Sequence, residues 1–261
     1  MPDVSEVVLG SVRSPSAKHG PNGTFWYPRQ GGIQAIPRAF ERSIGSRRIR
    51  LNACVTGIDA IRRCVHLAGG HLAGYDRLIS TLPLPALIRL LGDAVPVELR
   101  GLASLLAHNV VHTVNVGVEG RQPEETSGMH WIYYPGEQVV FHRVSFPGSL
   151  SPWMVPDGCY SIQAEVSESA QRPCHRATLI ETVLRDLNGQ GLIRGRVRTA
   201  WMETLDPAYI VYGLTHREVT QPLIAWLSER RIDSRGRFGQ WEYLNMDQVI
   251  LSGKAAAEAT A

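Results

Sequence analysis

The 261-residue sequence is poor in cysteine, in concentrated charge and in long apolar runs. Its four cysteines are Cys54, Cys64, Cys159 and Cys174, and none form a CxxC pair, which argues against a zinc site. Cys54 and Cys64 lie on neighbouring hydrophobic runs and are expected to be buried thiols; a disulfide between them stays open. No run of about 18 apolar residues could span a bilayer, and no N-terminal stretch resembles a signal peptide. A soluble cytoplasmic protein is therefore expected. The net charge is only +3 and the arginines are dispersed, which argues against a nucleic-acid partner. The densest basic run, Arg47-Arg48-Ile49-Arg50, reads as a solvated strand start. His108 and His112 are four apart in a strand-like run, so they read as structural or solvated, and no metal is expected. His142 should face away from its neighbour Arg143. No GxSxG elbow or Cys–His pairing points to hydrolysis.

What is present is an ordinary globular composition, 44% hydrophobic and 20% charged, long enough for a sizeable core. Residues 1–22 read as a polar lead-in. Helical spacing of Ile33, Ile36, Phe40 and Ile44 predicts a helix over 33–44. Strand-like segments follow at 48–53, 54–58, 64–68 and 71–75, with a Gly69-Gly70 turn. Arg77-Leu78-Ile79-Ser80-Thr81 reads as a buried parallel strand, and 82–91 as a short helix. Residues 108–118, 131–134, 139–146 and 160–166 read as an antiparallel sheet. A helix over 175–187, a strand over 196–203 and helices over 215–230 and 245–259 complete a mixed α/β (α+β) chain.

One stretch near the C-terminus concentrates chemistry: Gly236-Arg237-Phe238-Gly239-Gln240-Trp241-Glu242-Tyr243-Leu244-Asn245-Met246-Asp247-Gln248. It sets a cation, aromatics and a polar turn against the start of a helix, a suitable place for an anion. Asn245 suits an N-cap, which explains it without any ligand.

Four stretches, in order, resemble one family. Gly20-Pro21-Asn22-Gly23-Thr24-Phe25-Trp26-Tyr27-Pro28, continuing to Gly31-Gly32, is similar to the GPN-x-TF segment of UDP-galactopyranose mutases. Tyr75–Leu84 resembles the strand that closes the flavin domain across the amine-oxidase and protoporphyrinogen-oxidase superfamily. Trp131-Ile132-Tyr133-Tyr134-Pro135 with Phe141-His142-Arg143 is similar to the mutase W-x-Y-x-P…[FY]-x-R segment. The C-terminal stretch, preceded by Tyr209-Ile210-Val211-Tyr212, is the fourth.

The resemblance implies an FAD cofactor and a nucleotide-sugar substrate, with reduced FAD carrying a pyranose–furanose isomerisation. The protein would hold the diphosphate in place. Arg143 and Arg237 are the implied phosphate ligands; surface ion pairs are the ordinary alternative. Tyr209 and Tyr243 would add phenolic hydrogen bonds, and Asn22 would touch diphosphate or sugar. Trp131 and Tyr133, on one strand face, would border the substrate or simply pack. Val55, Gly236, Asn245, Asp247 and Gln248 are the implied cofactor contacts.

One element of the family pattern is missing. The strand–GxGxxG–helix that holds the ADP part of FAD is absent; Ala68–Gly74 is a hairpin cluster instead. The chain thus reads as the C-terminal part of a longer flavoprotein, inactive alone, with a separate chain as one source of the GxGxxG segment. The expected organisation is an incomplete FAD-binding domain (23–92 and 230–261) and an antiparallel-sheet substrate domain (93–229). Two other readings stand beside the mutase: an amine-oxidase or protoporphyrinogen-oxidase-like oxidoreductase on another substrate, and a flavin-less fragment without turnover.

Overall fold

The computed structural model describes residues 25–259. Its first helix, α1 (Ala35–Ile44), buries none of its residues. Three short strands, β1 (Val55–Asp59), β2 (Cys64–Leu67) and β3 (Leu72–Gly74), form an antiparallel sheet in that order. The strand expected over 48–53 does not form. Ser46–Arg48 is a 3-10 turn, and Asn52 takes a left-handed φ of 55°, which an extended run excludes. Cys54 therefore precedes the sheet and is exposed, and Cys64 is half-buried. The expectation of two buried thiols fails, and all four cysteines are free.

β4 (Leu78–Ser80) pairs in parallel with β10 (Ile232–Ser234), as a two-stranded sheet. The strand is parallel as expected but not buried throughout, since Ile79 is 44% exposed. Arg77 Nε donates to Asp233 Oδ2 at 2.5 Å, a pair that ties the entry of β4 to the middle of β10. Between these strands in sequence come α2 (Leu84–Leu91), α3 (Val97–Ser104), the large sheet and α6 (His216–Glu229). α2 buries Leu84, Leu87, Ile88 and Leu91, one face of a helix. They pack with Ile58, Val219, Leu223, Trp226, Leu227, Ile232 and Trp241 in one core. α3, unforeseen in the sequence, contributes Ala103. Packing thus sets α3 and α6 with the strands of the flanking regions, although sequence order places them beside the sheet.

The large sheet has five antiparallel strands in the order β6 (Trp131–Tyr133), β7 (Arg143–Ser145), β8 (Cys159–Glu168), β5 (His108–Glu119), β9 (Arg196–Ile210). Period-two alternation divides its faces. Val114, Val116 and Val118 lie opposite Ala164, Ile162 and Tyr160, all buried. α5 (Leu179–Gly189) lays Leu179, Val183 and Leu187 on this face, with Phe141 and Phe146. Fully burying each such side chain contributes about 1.5–3 kcal/mol. The opposite face carries Thr113, Asn115, Ser161, Gln163, Glu165, Arg143 and Ser145. Strand β7 is shorter than the expected 139–146: Val139 and Phe141 are buried off the ladder. β9 is longer than expected, running to Ile210 and so carrying Tyr209 into the sheet. A four-residue helix, α4 (Pro147–Leu150), follows β7; α7 (Gly236–Gly239) and α8 (Met246–Glu258) close the chain.

Candidate functional site

The polar face of the sheet meets the segment after β10, and there five of the expected site residues come into contact. Tyr133, Arg143 and Glu165 are directly opposite one another on β6, β7 and β8. Arg143 donates from Nε to Glu165 Oε1 at 3.0 Å and from Nη2 to the same oxygen. Its Nη1 reaches Tyr133 Oη at 3.4 Å and its Nη2 reaches Tyr209 Oη at 3.3 Å. Tyr209 stacks on Tyr243, with ring centroids 6.1 Å apart and planes 13° apart. The Arg237 guanidinium carbon lies 4.2 Å from the Tyr243 ring centroid and 5.3 Å from that of Tyr209, a cation–π geometry. Tyr209 therefore links the two arginines.

The arginines differ in what satisfies them. Arg143 is a paired cation. Burial acts to lower its pKa, but the Glu165 hydrogen bonds and charge outweigh this and raise it. Arg237 has buried Nε and Nη2 atoms with no hydrogen-bond partner among the described residues. A buried donor without a partner costs about 1–3 kcal/mol, more when charged, and an anion would satisfy it. Tyr209 has its pKa raised, first by burial and then by the Glu165 carboxylate, so it remains a phenol donor well into the alkaline range. Taken together, Arg143, Glu165 and Arg237 leave one net positive charge.

Glu165 was not foreseen. It is one of two acidic residues in β8, with Glu168, a signal visible in the sequence, but its partner depends on strand register. His142 also departs from expectation. It precedes β7, and its Nε2 lies 3.6 Å from Glu165 Oε2 instead of facing away from this cluster. Burial lowers its pKa, and the nearby Glu165 charge opposes that shift.

The remaining expected residues lie apart from this contact chain. Trp131 stacks with Phe25 at 5.7 Å, next to His130. Val55 opens β1 and packs against the α2–α6 core. Asn245, Asp247 and Gln248 are exposed at the start of α8, where Gln248 Oε1 accepts from Asn245 N at 2.8 Å. That is a helix-capping contact. Asn22 lies outside the described residues.

The C-terminal ends of the parallel pair are where a ligand of such a fold would be sought, because ligands in open α/β sheets bind beyond the carboxyl ends of the strands. β10 runs straight into Arg235, Gly236 and Arg237. Gly236 is buried with φ 76°, and its N–H is taken by Gln240 Oε1 and Ser252 Oγ at 3.1 and 3.2 Å. A Cβ at Gly239 would come within 3.1 Å of Ser234 Oγ and 3.2 Å of the Ser80 carbonyl oxygen, so this turn sits tightly against both strand ends. Arg235 Nε, whose guanidinium also pairs with Asp233 through Nη2 at 3.6 Å, and Trp241 Nε1 are buried without a hydrogen-bond partner among the described residues. The donors of Arg235 and Arg237, which follow β10 directly, are of a kind that could border an anionic cofactor.

Elsewhere, ligand atoms of His112, Glu168 and Cys174 lie within 4.8 Å of one another. His112 Nε2 meets Glu168 Oε2 at 2.6 Å and Arg176 Nε meets the same oxygen at 3.0 Å, so the carboxylate is already matched by protein groups. His108 pairs with Asp206 at 2.9 Å. Among the described residues no helix is long and apolar enough to cross a membrane.

Comparison with known proteins places the fold. A family model for flavin containing amine oxidoreductases matches residues 6–151. A crystal structure of reduced UDP-galactopyranose mutase superposes with a TM-score of 0.82 at 27% identity, over 87% of this chain and 50% of that one. Putrescine oxidase gives 0.61 at 17% identity over 88% and 53%. A CLA-producing fatty acid isomerase from P. acnes gives 0.62 at 16% over 87% and 52%. The last two show the shared fold alone. The chain spans about half the length of the solved structures it matches. The cofactor of such proteins is FAD. The family match covers more than half the sequence, and the chain belongs to the flavin containing amine oxidoreductase family.

Proposed function

We propose that this chain carries the substrate-binding half of a flavoenzyme resembling UDP-galactopyranose mutase, and that its ligand is a nucleotide sugar held by its diphosphate. The observation that carries the reading is Arg237: a guanidinium stacked on Tyr243 and Tyr209, with buried nitrogens that no group among the described residues satisfies. Arg143 Nη2 reaches the hydroxyl of the same Tyr209. A diphosphate bridging the two would gain charge-assisted hydrogen bonds from Arg237 and oriented donors from Arg143, Tyr209 and Tyr133.

Bound FAD would supply the bond-breaking chemistry, with reduced flavin as the electron-rich partner in a pyranose–furanose isomerisation. Gly236 and Arg237, at the end of β10, are the groups that would border it. The chain's own residues orient the diphosphate and keep its position fixed while the sugar rearranges. The rest of the flavin cradle would come from a strand–GxGxxG–helix segment, in the same polypeptide or in a separate chain. Two features support such a neighbour. A parallel pair normally has both faces covered, yet Ile79 on β4 is 44% exposed. α1 has an apolar side with Phe40 and Ile44 about half exposed.

One observation favours a second reading. Glu165 neutralises Arg143, and this lower net charge suits a substrate less anionic than a diphosphate. That would be an amine-oxidase or protoporphyrinogen-oxidase-like reaction. Calorimetry with UDP separates them: Arg237→Ala is expected to weaken binding by about 1.5–3 kcal/mol. Unchanged affinity removes Arg237 from the site and leaves the oxidase reading. A purified chain without a flavin spectrum that still binds UDP marks a binding fragment without turnover.

A further inference from the structure

The apolar face of the large sheet, turned away from Arg143 and Tyr209, holds a second polar group. His112 on β5 shares this face with Val114 and Val116 and is fully buried. It is opposite Val166 on β8 and Thr204 on β9, and Glu168 lies one diagonal step away at the end of β8. Past β8 the chain turns back, with paired backbone bonds between Ser169 and Arg172. The turn sets Cys174 against the same core. One ligand atom from each of His112, Glu168 and Cys174 lies within 4.8 Å of the other two. Sequence spacing does not show this set, because strand register and the turn bring its members together.

The imidazole is held in place from both sides. His112 Nδ1 meets Thr204 Oγ1 at 2.9 Å, and Nε2 meets Glu168 Oε2 at 2.6 Å. A hydroxyl both donates and accepts, so Thr204 satisfies Nδ1 in either tautomer. Nε2 is therefore free to carry a proton or to present its lone pair. Two acceptor atoms 2.6 Å apart repel unless a proton or a cation lies between them. Arg176 Nε also falls on Glu168 Oε2, at 3.0 Å, and Oε1 takes part in neither contact. A histidine whose second ring nitrogen is fixed by a hydrogen bond is the usual form of a metal-ligating imidazole.

We infer that His112 Nε2, the Glu168 carboxylate and Cys174 Sγ form a site for a divalent cation of the zinc class, which fastens the turn after β8 to the sheet. Thiolate and imidazole select zinc over magnesium or calcium, which take oxygen ligands. Zinc holds these atoms at about 2.0–2.3 Å, so the donors must lie about 3.5 Å apart, and a shift of about 1 Å in Cys174 closes the set. Cys174 lies outside any helix or strand, where such a shift is easily made. Solvent supplies the fourth ligand, beside a glutamate side chain that is 22% exposed. On binding, the thiol gives up its proton to solvent. The His112 proton moves from Nε2 to Nδ1, where Thr204 accepts it, so about one proton leaves per ion. Arg176 opposes a second cation at the same carboxylate and so limits the affinity. The site is independent of the nucleotide-sugar reading.

The test is titration of the chelator-treated full chain with cobalt(II) and zinc(II). A thiolate-to-cobalt absorption band in the near ultraviolet is expected, saturating at about one ion per chain with about one proton released. Cys174→Ser is expected to lose that band and to bind zinc about 100-fold more weakly. Arg176→Ala, at an exposed position that leaves the core intact, is expected to bind zinc about tenfold more tightly, because the opposing charge is gone. Cys64 Sγ lies 3.9 Å from His66 Nε2 and is the rival thiol, so Cys64→Ser should keep the band. A band that survives in Cys174→Ser, or that disappears in Cys64→Ser, overturns the site. Arg176→Ala with unchanged or weaker zinc binding removes Glu168 from the ligands and overturns it too. So does the absence of any cobalt band in the unsubstituted chain.

Discussion

Glu165 holds Arg143 by two hydrogen bonds to one carboxylate oxygen, across adjacent strands and with the carboxylate side chain only 7% exposed. The arginine that the sequence marks as a phosphate ligand is therefore already half of an ion pair. Arg143→Met would leave a buried carboxylate without its cation and is expected to destabilise the chain by about 2–4 kcal/mol in urea unfolding. Glu165→Gln keeps an acceptor but removes the opposing charge. It is expected to tighten UDP binding about three- to tenfold, with a steeper salt dependence. Weaker UDP binding in Glu165→Gln would mean that the carboxylate acts by positioning Arg143 and that its charge is secondary.

The turn that presents Arg237 depends on Gly236, whose φ of 76° suits glycine. Gly236→Ala is expected to cost about 1–2 kcal/mol of stability. It should also weaken UDP binding, because the strain displaces the adjacent guanidinium. Stability loss with unaltered UDP affinity would show that Arg237 does not depend on this turn.

Tyr75, Tyr134 and Tyr209 all have pKa values raised, chiefly by burial. Each binds its proton more tightly folded than unfolded, so its contribution to stability is complete below about pH 10, the ordinary tyrosine value, and is lost as pH rises beyond it. Phenolate absorbance should show a late phase above pH 10, and Tyr209→Phe should remove part of it. An unaltered late phase in Tyr209→Phe would place the Tyr209 hydroxyl in solvent.

His142 behaves in the opposite sense. Burial lowers its folded pKa, so the unfolded chain takes up the proton first. Stability is complete above about pH 6.5 and falls as pH drops through the folded value. His142→Gln should flatten urea midpoints over that acid range. A slope equal to that of the unsubstituted chain would assign acid sensitivity to other groups.

Much of the architecture was legible because local patterns report it. Alternation in β5 and β8 marks a two-faced sheet, and the short apolar run 78–80 marks a parallel strand. The stretch 48–53 misled because alternation does not reveal a left-handed φ at Asn52. β9 ran past its expected end because pairing with β5, not its own composition, keeps it extended to Ile210. In the candidate site, motif spacing singled out Arg143, Tyr209, Arg237 and Tyr243, which the structure brings into one contact chain. It could not identify Glu165, whose role exists only through its register with β7.

The amino-acid order alone settled which residue types are available: a flavin-family pattern, two motif arginines, and strands with one apolar and one polar side. Those follow from chemistry and periodicity carried by neighbouring residues. Folding decided the charge balance among them. Register placed a carboxylate against Arg143, and the turn after β10 buried Arg237 without a counter-ion among the described residues. Contacts between residues far apart in the chain are fixed by tertiary packing, and local sequence has no term for them.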